Sequence, residues 1–138
     1  MISIEFWVPG RPAPQGSKRY VGKSKKGRAI LIEQSAYVKD WRKAVALAAW
    51  RAVDVEKWSI LDQPCTLNVA FFIARPARPK FNQPAVAPDL SKLVRATEDA
   101  LTKVIWLDDS RVVWTQSSKQ YDLEPGAWIK VSTTEDAA

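Results

Sequence analysis

The chain has 138 residues, 46% of them hydrophobic, so we expect one domain, residues 1–138, with its own core. Its 21 lysines and arginines outnumber 15 acidic residues, and the net charge of +6 favours a polyanionic partner. The chain has no histidine and one cysteine, which excludes histidine-based acid–base chemistry, serine–histidine triads, intrachain disulfides and histidine-bound or multi-cysteine zinc sites. Any bound metal ion would have carboxylate ligands, which favours Mg²⁺ or Mn²⁺.

The first residues show neither the basic nor the long apolar segment of a secretory signal. The apolar runs are too short to cross a bilayer. Together with the single cysteine, these features predict a cytoplasmic protein that does not contact a membrane.

The N-terminal region combines a strand with a basic stretch. Apolar and polar residues alternate from Ile2 to Val8, which predicts a half-buried strand. Between Arg11 and Arg28 there are seven basic residues and no acidic one, and a second strand is predicted at 29–32. The stretch is typical of a phosphate-binding surface, although a solvated loop remains the alternative. The candidate phosphate contacts here are Lys18, Arg19, Lys23, Lys25, Lys26 and Arg28.

The middle of the chain predicts a helix, a strand and a connection. Apolar residues recur at helical spacing from Ser35, a candidate cap, to Val53. The clearest strand runs from Cys65 to Ala74, and Cys65 is interpreted as a small core residue. Three prolines between residues 75 and 87 predict an extended segment, interpreted as a flap beside a site rather than a plain surface connection.

The C-terminal half predicts a helix followed by two strands. Asp89 is placed to cap an amphipathic helix of about four turns that starts at Leu90, and the apolar run after it ends at Asp108-Asp109. Strands follow at 111–121 and 127–131. The order β-β-α-β-α-β-β predicts an α+β fold, with a single mixed β-sheet of mostly antiparallel pairs and two helices.

The acidic residues around this helix predict a metal site. The fold could bring Asp89, before the helix, to Asp108 and Asp109, after it. Mg²⁺ is commonly held by one or two carboxylates and several water molecules. The alternative for Asp108-Asp109 is a solvated turn. A resemblance to the PD-(D/E)xK nucleases is weak, because Arg111 occupies the lysine position and a whole helix intervenes.

A closer resemblance covers most of the chain. The run from Pro88 to Val113, PDLSKLVRATEDALTKVIWLDDSRVV, resembles the signature of the RusA family of Holliday junction resolvases. The front of the chain, VPGRPAPQGSKR, resembles the family's opening stretch, and Lys119 and Pro125-Gly126 also agree. The resemblance implies a RusA-like fold and a homodimeric, Mg²⁺-dependent endonuclease. Such an enzyme binds four-way DNA junctions and nicks two strands by phosphodiester hydrolysis in recombination and repair.

The resemblance also assigns roles to residues. The family's first metal acid matches Asp89, its second acid matches Ser91, and the closing acidic pair matches Asp108-Asp109, with Asp109 the usual ligand. The family's helix lysine matches Arg95, and its helix acid matches Asp99. Since serine carries no charge, Asp108 is the better candidate to replace the missing acid, and Asp99 the weaker one.

These matches define the expected site. Asp89, Arg95 and Asp109 are the expected catalytic residues, the metal set adds Asp108 and Ser91, and Lys92 and Lys119 join the DNA contacts. Two other functions stay open. One is a junction-binding protein without catalysis, and the other is a single-strand binder that uses exposed tryptophans on a sheet.

Overall fold

The chain folds into a four-stranded sheet with two helices on one face. The computed structural model describes residues 2–15, 18–23, 29–33 and 37–134, with side chains in the first and last ranges. In chain order the elements are β1 (Ser3–Pro9), β2 (Lys18–Lys23), β3 (Ala29–Glu33), α1 (Val38–Glu56), β4 (Cys65–Ala74), α2 (Leu90–Leu101), a 3₁₀ turn (Asp109–Arg111), β5 (Val112–Asp122) and β6 (Gly126–Thr133).

The sheet has the strand order β1-β6-β4-β5. The β4–β5 pair is parallel, and the other two pairs are antiparallel. A parallel pair needs a crossover connection, and here α2 lies within the crossover. The α+β prediction with a mixed sheet and two helices is therefore confirmed. The strand predicted at 29–32 is β3, which pairs with β2 in a separate two-stranded hairpin.

One face of the sheet forms the core. Side chains alternate along each strand, and the inward residues of β1, β4 and β6 are buried under the helices. Both helices pack through their apolar stripes, and α1 lies against β1 and α2. Among the described residues, no helix lies on the opposite face, which carries Trp7, Phe72, Trp114 and Trp128.

A tryptophan joins the two helices. Trp41 of α1 is 1% exposed, and its Nε1 donates to Thr97 Oγ1 of α2 at 3.2 Å. Thr97 in turn donates to the Leu93 carbonyl at 2.9 Å, so both polar groups are paired. The Trp41 ring also lies 6.3 Å from that of Phe71 on β4. This contact fixes α2, and with it the candidate site, relative to α1 and the sheet.

The helix limits differ from the prediction. Helix α1 runs from Val38 to Glu56, and Ser35 lies outside the described residues. Helix α2 ends at Leu101, because Thr102 is extended and Lys103 has a φ of 70°. Within the described ranges, no helix is long and apolar enough to cross a membrane.

Candidate active site

The start of α2 carries an exposed carboxylate. Asp89 is the N-cap residue, and its carbonyl accepts from the Lys92 and Leu93 amides at 3.1 Å each. Its side chain makes no capping hydrogen bond and is 63% exposed. The Lys92 ammonium lies 3.6 Å from it, and Ser91 between them is also exposed. The carboxylate is therefore accessible to a ligand at a positive helix end.

Lys119 of β5 holds the segment that leads into α2. Its ammonium donates to the Val86 carbonyl at 2.7 Å and to the Pro88 carbonyl at 2.8 Å. Residues 75–87 contain no helix or strand, as the prolines predict. Since an ammonium has three donors, Lys119 keeps one N–H for another partner. The residue expected to contact DNA thus also positions the chain next to Asp89.

The segment after α2 is fixed to the loop before β4. The Leu61 amide donates to the Ile105 carbonyl at 2.9 Å, and the Leu107 amide donates to the Leu61 carbonyl at 2.8 Å. The 3₁₀ turn follows, and the Ser110 amide donates to Asp108 Oδ1 at 2.8 Å. These bonds determine where the Asp108-Asp109 pair lies.

Carboxylates gather around Asp109. Partial desolvation raises the pKa of Asp109, and hydrogen bonding and charge at Asp108 and the charge of Asp99 act in the same direction. The Arg95 guanidinium lowers that pKa. Hydrogen bonds from Ser110 keep the pKa of the exposed Asp108 below its usual range. Asp109 therefore lies among like charges next to the second half of α2.

Glu98 belongs to the same cluster. Its burial, followed by the charges of Asp109 and Asp99, raises the pKa of Glu98 to about 7. Glu98 was not among the site residues predicted from the sequence. Its helical spacing, three residues after Arg95, is the signal that could have identified it, but spacing alone does not predict its partial burial.

The predicted site residues fall into two groups. The structure brings Arg95, Asp99 and Asp108 within electrostatic reach of Asp109, and Asp109 and Asp99 in turn act on Glu98. Asp89 and Lys92 lie at the other end of α2. Arg95 is six positions after Asp89, or roughly 9 Å along a helix axis. Among the described residues, the one ion pair of Asp89 is that with Lys92.

The remaining basic residues of the prediction are described only in part. Lys18, Arg19 and Lys23 lie on strand β2, for which the backbone alone is described. Lys25, Lys26 and Arg28 lie outside the described residues. The basic stretch lies next to α2 at Gln15, because the Gln15 amide donates to the Lys92 carbonyl at 3.0 Å. Arg42 of α1 donates to the Gln15 side chain and adds a second attachment.

Cys65 and Arg111 have structural contacts. Cys65 is fully buried, and burial, followed by the nearby Glu98 charge, raises the pKa of its thiol to about 11. The thiol is therefore a poor nucleophile, and the interpretation of Cys65 as a core residue is confirmed. Arg111 Nε and Nη2 each lie 2.8 Å from Asp62 Oδ1. This ion pair fixes the 3₁₀ turn to the loop before β4.

A family model for the RusA endodeoxyribonuclease matches residues 9–132 and so spans both helices, the Asp109 cluster and the strands β2 to β6 up to Ser132, whereas β1 before Pro9 lies outside the match. The chain belongs to the RusA family of endodeoxyribonucleases. Membership implies an endodeoxyribonuclease that acts on DNA in recombination, which agrees with the net positive charge. The RusA-family resemblance inferred from Pro88 to Val113 is thereby confirmed.

This RusA-family chain is also similar to the uncharacterized protein YqaN of Bacillus subtilis (strain 168). The two are 29% identical over 143 residues, which cover 95% of this chain and 96% of that protein. The similarity therefore extends over nearly the full length of both proteins and is not confined to one motif.

The carboxylates at Asp109 give a stability prediction. For Glu98 the pKa rises from its ordinary value of 4.5 to about 7, so the folded state binds the proton more tightly than the unfolded chain. Its charge therefore destabilises the fold increasingly as the pH rises through this range. We expect Glu98→Gln to stabilise the metal-free protein at pH 8 by about 1–3 kcal/mol, and little at pH 4.

Urea unfolding with EDTA at both pH values would measure the gain. Glu56→Gln, an exposed change at the end of α1, is the matched control and should be neutral at either pH. An equal gain in the free energy of unfolding at pH 4 and pH 8 would mean that the packing of the Glu98 side chain, rather than its charge, destabilises the fold.

Proposed function

We propose that the protein is a metal-dependent endonuclease that resolves four-way DNA junctions in recombination and repair. It cuts two strands symmetrically by phosphodiester hydrolysis. The observation that carries this proposal is the Asp109 carboxylate cluster beside Arg95 on α2, in a chain of the RusA endodeoxyribonuclease family.

The donor set supports a hard divalent cation. Desolvation, and after it the repulsion between neighbouring carboxylates, raises the pKa values of Glu98 and Asp109, and a cation that binds between the carboxylates removes that repulsion. Within residues 2–15 and 37–134, no group of three or more acidic or cysteine side chains is arranged to hold a metal. Mg²⁺ or Mn²⁺ held by one or two carboxylates and water does not need such a group. Asp109 and Asp108 would hold it at the cluster, and Asp89 and Ser91 would have to complete its ligands from the start of the same helix.

The chemistry divides between metal and protein. A bound Mg²⁺ would acidify a water molecule and offset charge on the scissile phosphate. Arg95 is exposed next to Asp109, so its guanidinium can hold a phosphate oxygen and stabilise charge that develops on it. Lys92 is 42% exposed and lies at the Asp89 end, where it can bind the neighbouring phosphate.

The DNA path follows from the attachment of Gln15 to Lys92. This hydrogen bond attaches the basic stretch, at Gln15, to the first turn of α2. Lys18, Arg19, Lys23, Lys25, Lys26 and Arg28 would neutralise flanking phosphates without reading sequence, and Lys119 would add its remaining N–H. Binding should therefore be strongly salt-dependent.

Cleavage of a synthetic four-way junction, with and without Mg²⁺ or Mn²⁺, tests this function. Paired nicks that require the metal are the expected result, with linear duplex of the same sequence as the control substrate. Tight junction binding with no cleavage in either metal would favour a junction-binding protein without catalysis. Preference for single strands over junctions would favour the single-strand binder.

Symmetric cutting predicts a homodimer, because a four-way junction has two-fold symmetry and paired nicks need two sites. We expect the contact on the alanine-rich helix α1, where Leu47 and Trp50 are 52% and 55% exposed one turn apart. Sedimentation at micromolar concentration should show a dimer, and Leu47→Glu should shift it to monomer. Ser59→Glu, an exposed charge change in the loop after α1, is the control. A monomer at all concentrations would remove the basis for paired cutting.

Ser91 gives a gain-of-function prediction. Ser91→Asp places a carboxylate two residues from Asp89 at the first turn of α2, where it adds Coulomb attraction for a divalent cation. We expect the Mg²⁺ concentration for half-maximal cleavage to fall by roughly tenfold, with little change at saturating Mg²⁺.

A Mg²⁺ titration of junction cleavage would compare the two proteins. Ser59→Asp, in the exposed loop after α1, is the matched control. If Ser91→Asp lowers the melting temperature without changing the Mg²⁺ response, position 91 is not part of a metal site.

A further inference from the structure

The open face of the sheet holds an aromatic cluster. Trp7, Phe72 and Trp128 lie on β1, β4 and β6, and each follows or precedes core residues on its strand. The Trp7 ring centroid lies 5.4 Å from that of Trp128 and 5.7 Å from that of Phe72. The planes are tilted by 56° and 54°, so the rings present faces in different directions.

Gly126 provides the space for this cluster. A Cβ atom at position 126 would overlap Trp7 Cζ2 and the Val8 carbonyl oxygen. Because a backbone carbonyl in a paired strand cannot move aside, the Trp7 ring lies over a position that has room for glycine alone. The sheet itself therefore fixes the orientation of Trp7 before any ligand binds.

Two carboxylates border the cluster. Asp122 and Glu124, in the turn from β5 to β6, line a pocket of about 380 Å³ together with the three aromatic rings. The Glu124 amide donates to Asp122 Oδ1 at 3.1 Å, which orders the turn. Within the part of the chain that the structure describes, neither acid has an ion-pair partner. Leu123 between them is 100% exposed.

Aromatic ring faces next to unpaired carboxylates form a site that suits an organic cation. A guanidinium stacks flat on an indole ring and pairs with a carboxylate through two parallel N–H donors, which an ammonium cannot do. The exposed Leu123 adds an apolar contact beside the pocket, as a peptide ligand would use. We propose that this pocket binds an arginine side chain presented by a partner protein.

The same features separate this pocket from the nuclease site. The carboxylates of Asp122 and Glu124 repel phosphates, so tryptophan stacking on nucleic acid is disfavoured here. Helix α2, with Asp89 and Arg95, covers the opposite face of the sheet. A junction bound along α2 therefore leaves the pocket free, and the proposal does not depend on the nuclease activity.

A blocked Gly-Leu-Arg-Leu-Gly peptide is the probe, and the same peptide with citrulline, the neutral isostere of arginine, is its control. We expect the arginine peptide to shift the indole N–H resonances of Trp7 and Trp128 in the isotope-labelled full chain, with a Kd of roughly a millimolar or tighter. The citrulline peptide should shift neither resonance. The Asp122→Asn, Glu124→Gln double variant should bind roughly tenfold more weakly.

A Trp114 variant distinguishes binding in the pocket from binding to any exposed tryptophan of this sheet face. Trp114 is 50% exposed on the same sheet face but does not line the pocket, so Trp114→Ala should leave the affinity unchanged while Trp128→Ala abolishes it. Trp128→Ala should keep full junction cleavage, which distinguishes failure here from failure of the nuclease proposal.

Three results would overturn the arginine pocket. The first is equal binding of the arginine and citrulline peptides, or none. The second is a single-stranded oligonucleotide that shifts the same resonances more strongly than the peptide. The third is loss of a dimer on Trp128→Ala in sedimentation, which would make this face a contact between two copies of the chain.

Discussion

Asp109→Asn is expected to reduce junction cleavage by about a thousandfold or more while leaving junction binding intact. Asp109 is the carboxylate on which Asp108, Asp99 and Arg95 act together, and it is a proposed metal ligand. Loss of a charged ligand would remove several kcal/mol of transition-state stabilisation supplied through the metal. Asp89→Asn should have a comparable effect, because it removes the other proposed ligand.

Cleavage rates and junction affinity must both be measured, because the two readouts respond differently. Removal of a negative charge beside the phosphates should leave the affinity equal or slightly higher. Asp54→Asn, an exposed change in the last turns of α1, is the matched control and should cleave at the normal rate. Normal cleavage by Asp109→Asn would show that the site lies elsewhere, and equal loss of binding would indicate a folding defect.

Trp41→Ala is expected to destabilise the fold by about 3–5 kcal/mol, the usual cost of removing a buried tryptophan. The side chain is 1% exposed, contacts Phe71 of the sheet, and donates to Thr97 of α2. The change leaves a cavity between three elements and removes one partner of a buried hydroxyl. That loss is a large part of a typical domain's stability, so α2 and the site it carries should loosen as well.

Urea unfolding would measure this effect. Trp114→Ala is the control, because that ring is 50% exposed and its loss should cost less than about 1 kcal/mol. Trp41→Phe separates the contribution of packing from that of the hydrogen bond. It keeps most of the side-chain volume but loses the hydrogen bond to Thr97, which is worth about 1 kcal/mol. Equal effects of Trp41→Ala and Trp114→Ala would mean that Trp41 does not hold α1 to α2.

From the sequence, only those residues of the candidate site that belong to a recognisable motif could be predicted. The run from Pro88 to Val113 identified the family, and the acid-rich ends of α2 followed from it. Glu98 was missed, because its raised pKa depends on burial and on Asp109, eleven positions away in sequence. The two hydrogen bonds from Lys119 to the Val86 and Pro88 carbonyls join positions on different elements, and no local pattern records them.

The sequence by itself determined the elements and their buried faces. Apolar residues on one face, Leu67, Val69, Phe71 and Ile73, predicted β4 from Cys65 to Ala74 with its observed limits, because successive side chains of a strand point to opposite faces. Helical spacing likewise predicted the buried Leu93, Val94 and Leu101 of α2. Only the tertiary structure decided that β4 pairs with β5 in parallel, that β2 and β3 pair apart, and that one sheet face stays open. Partner choice between strands depends on contacts across the whole core, whereas periodicity reports only which side of each element is buried.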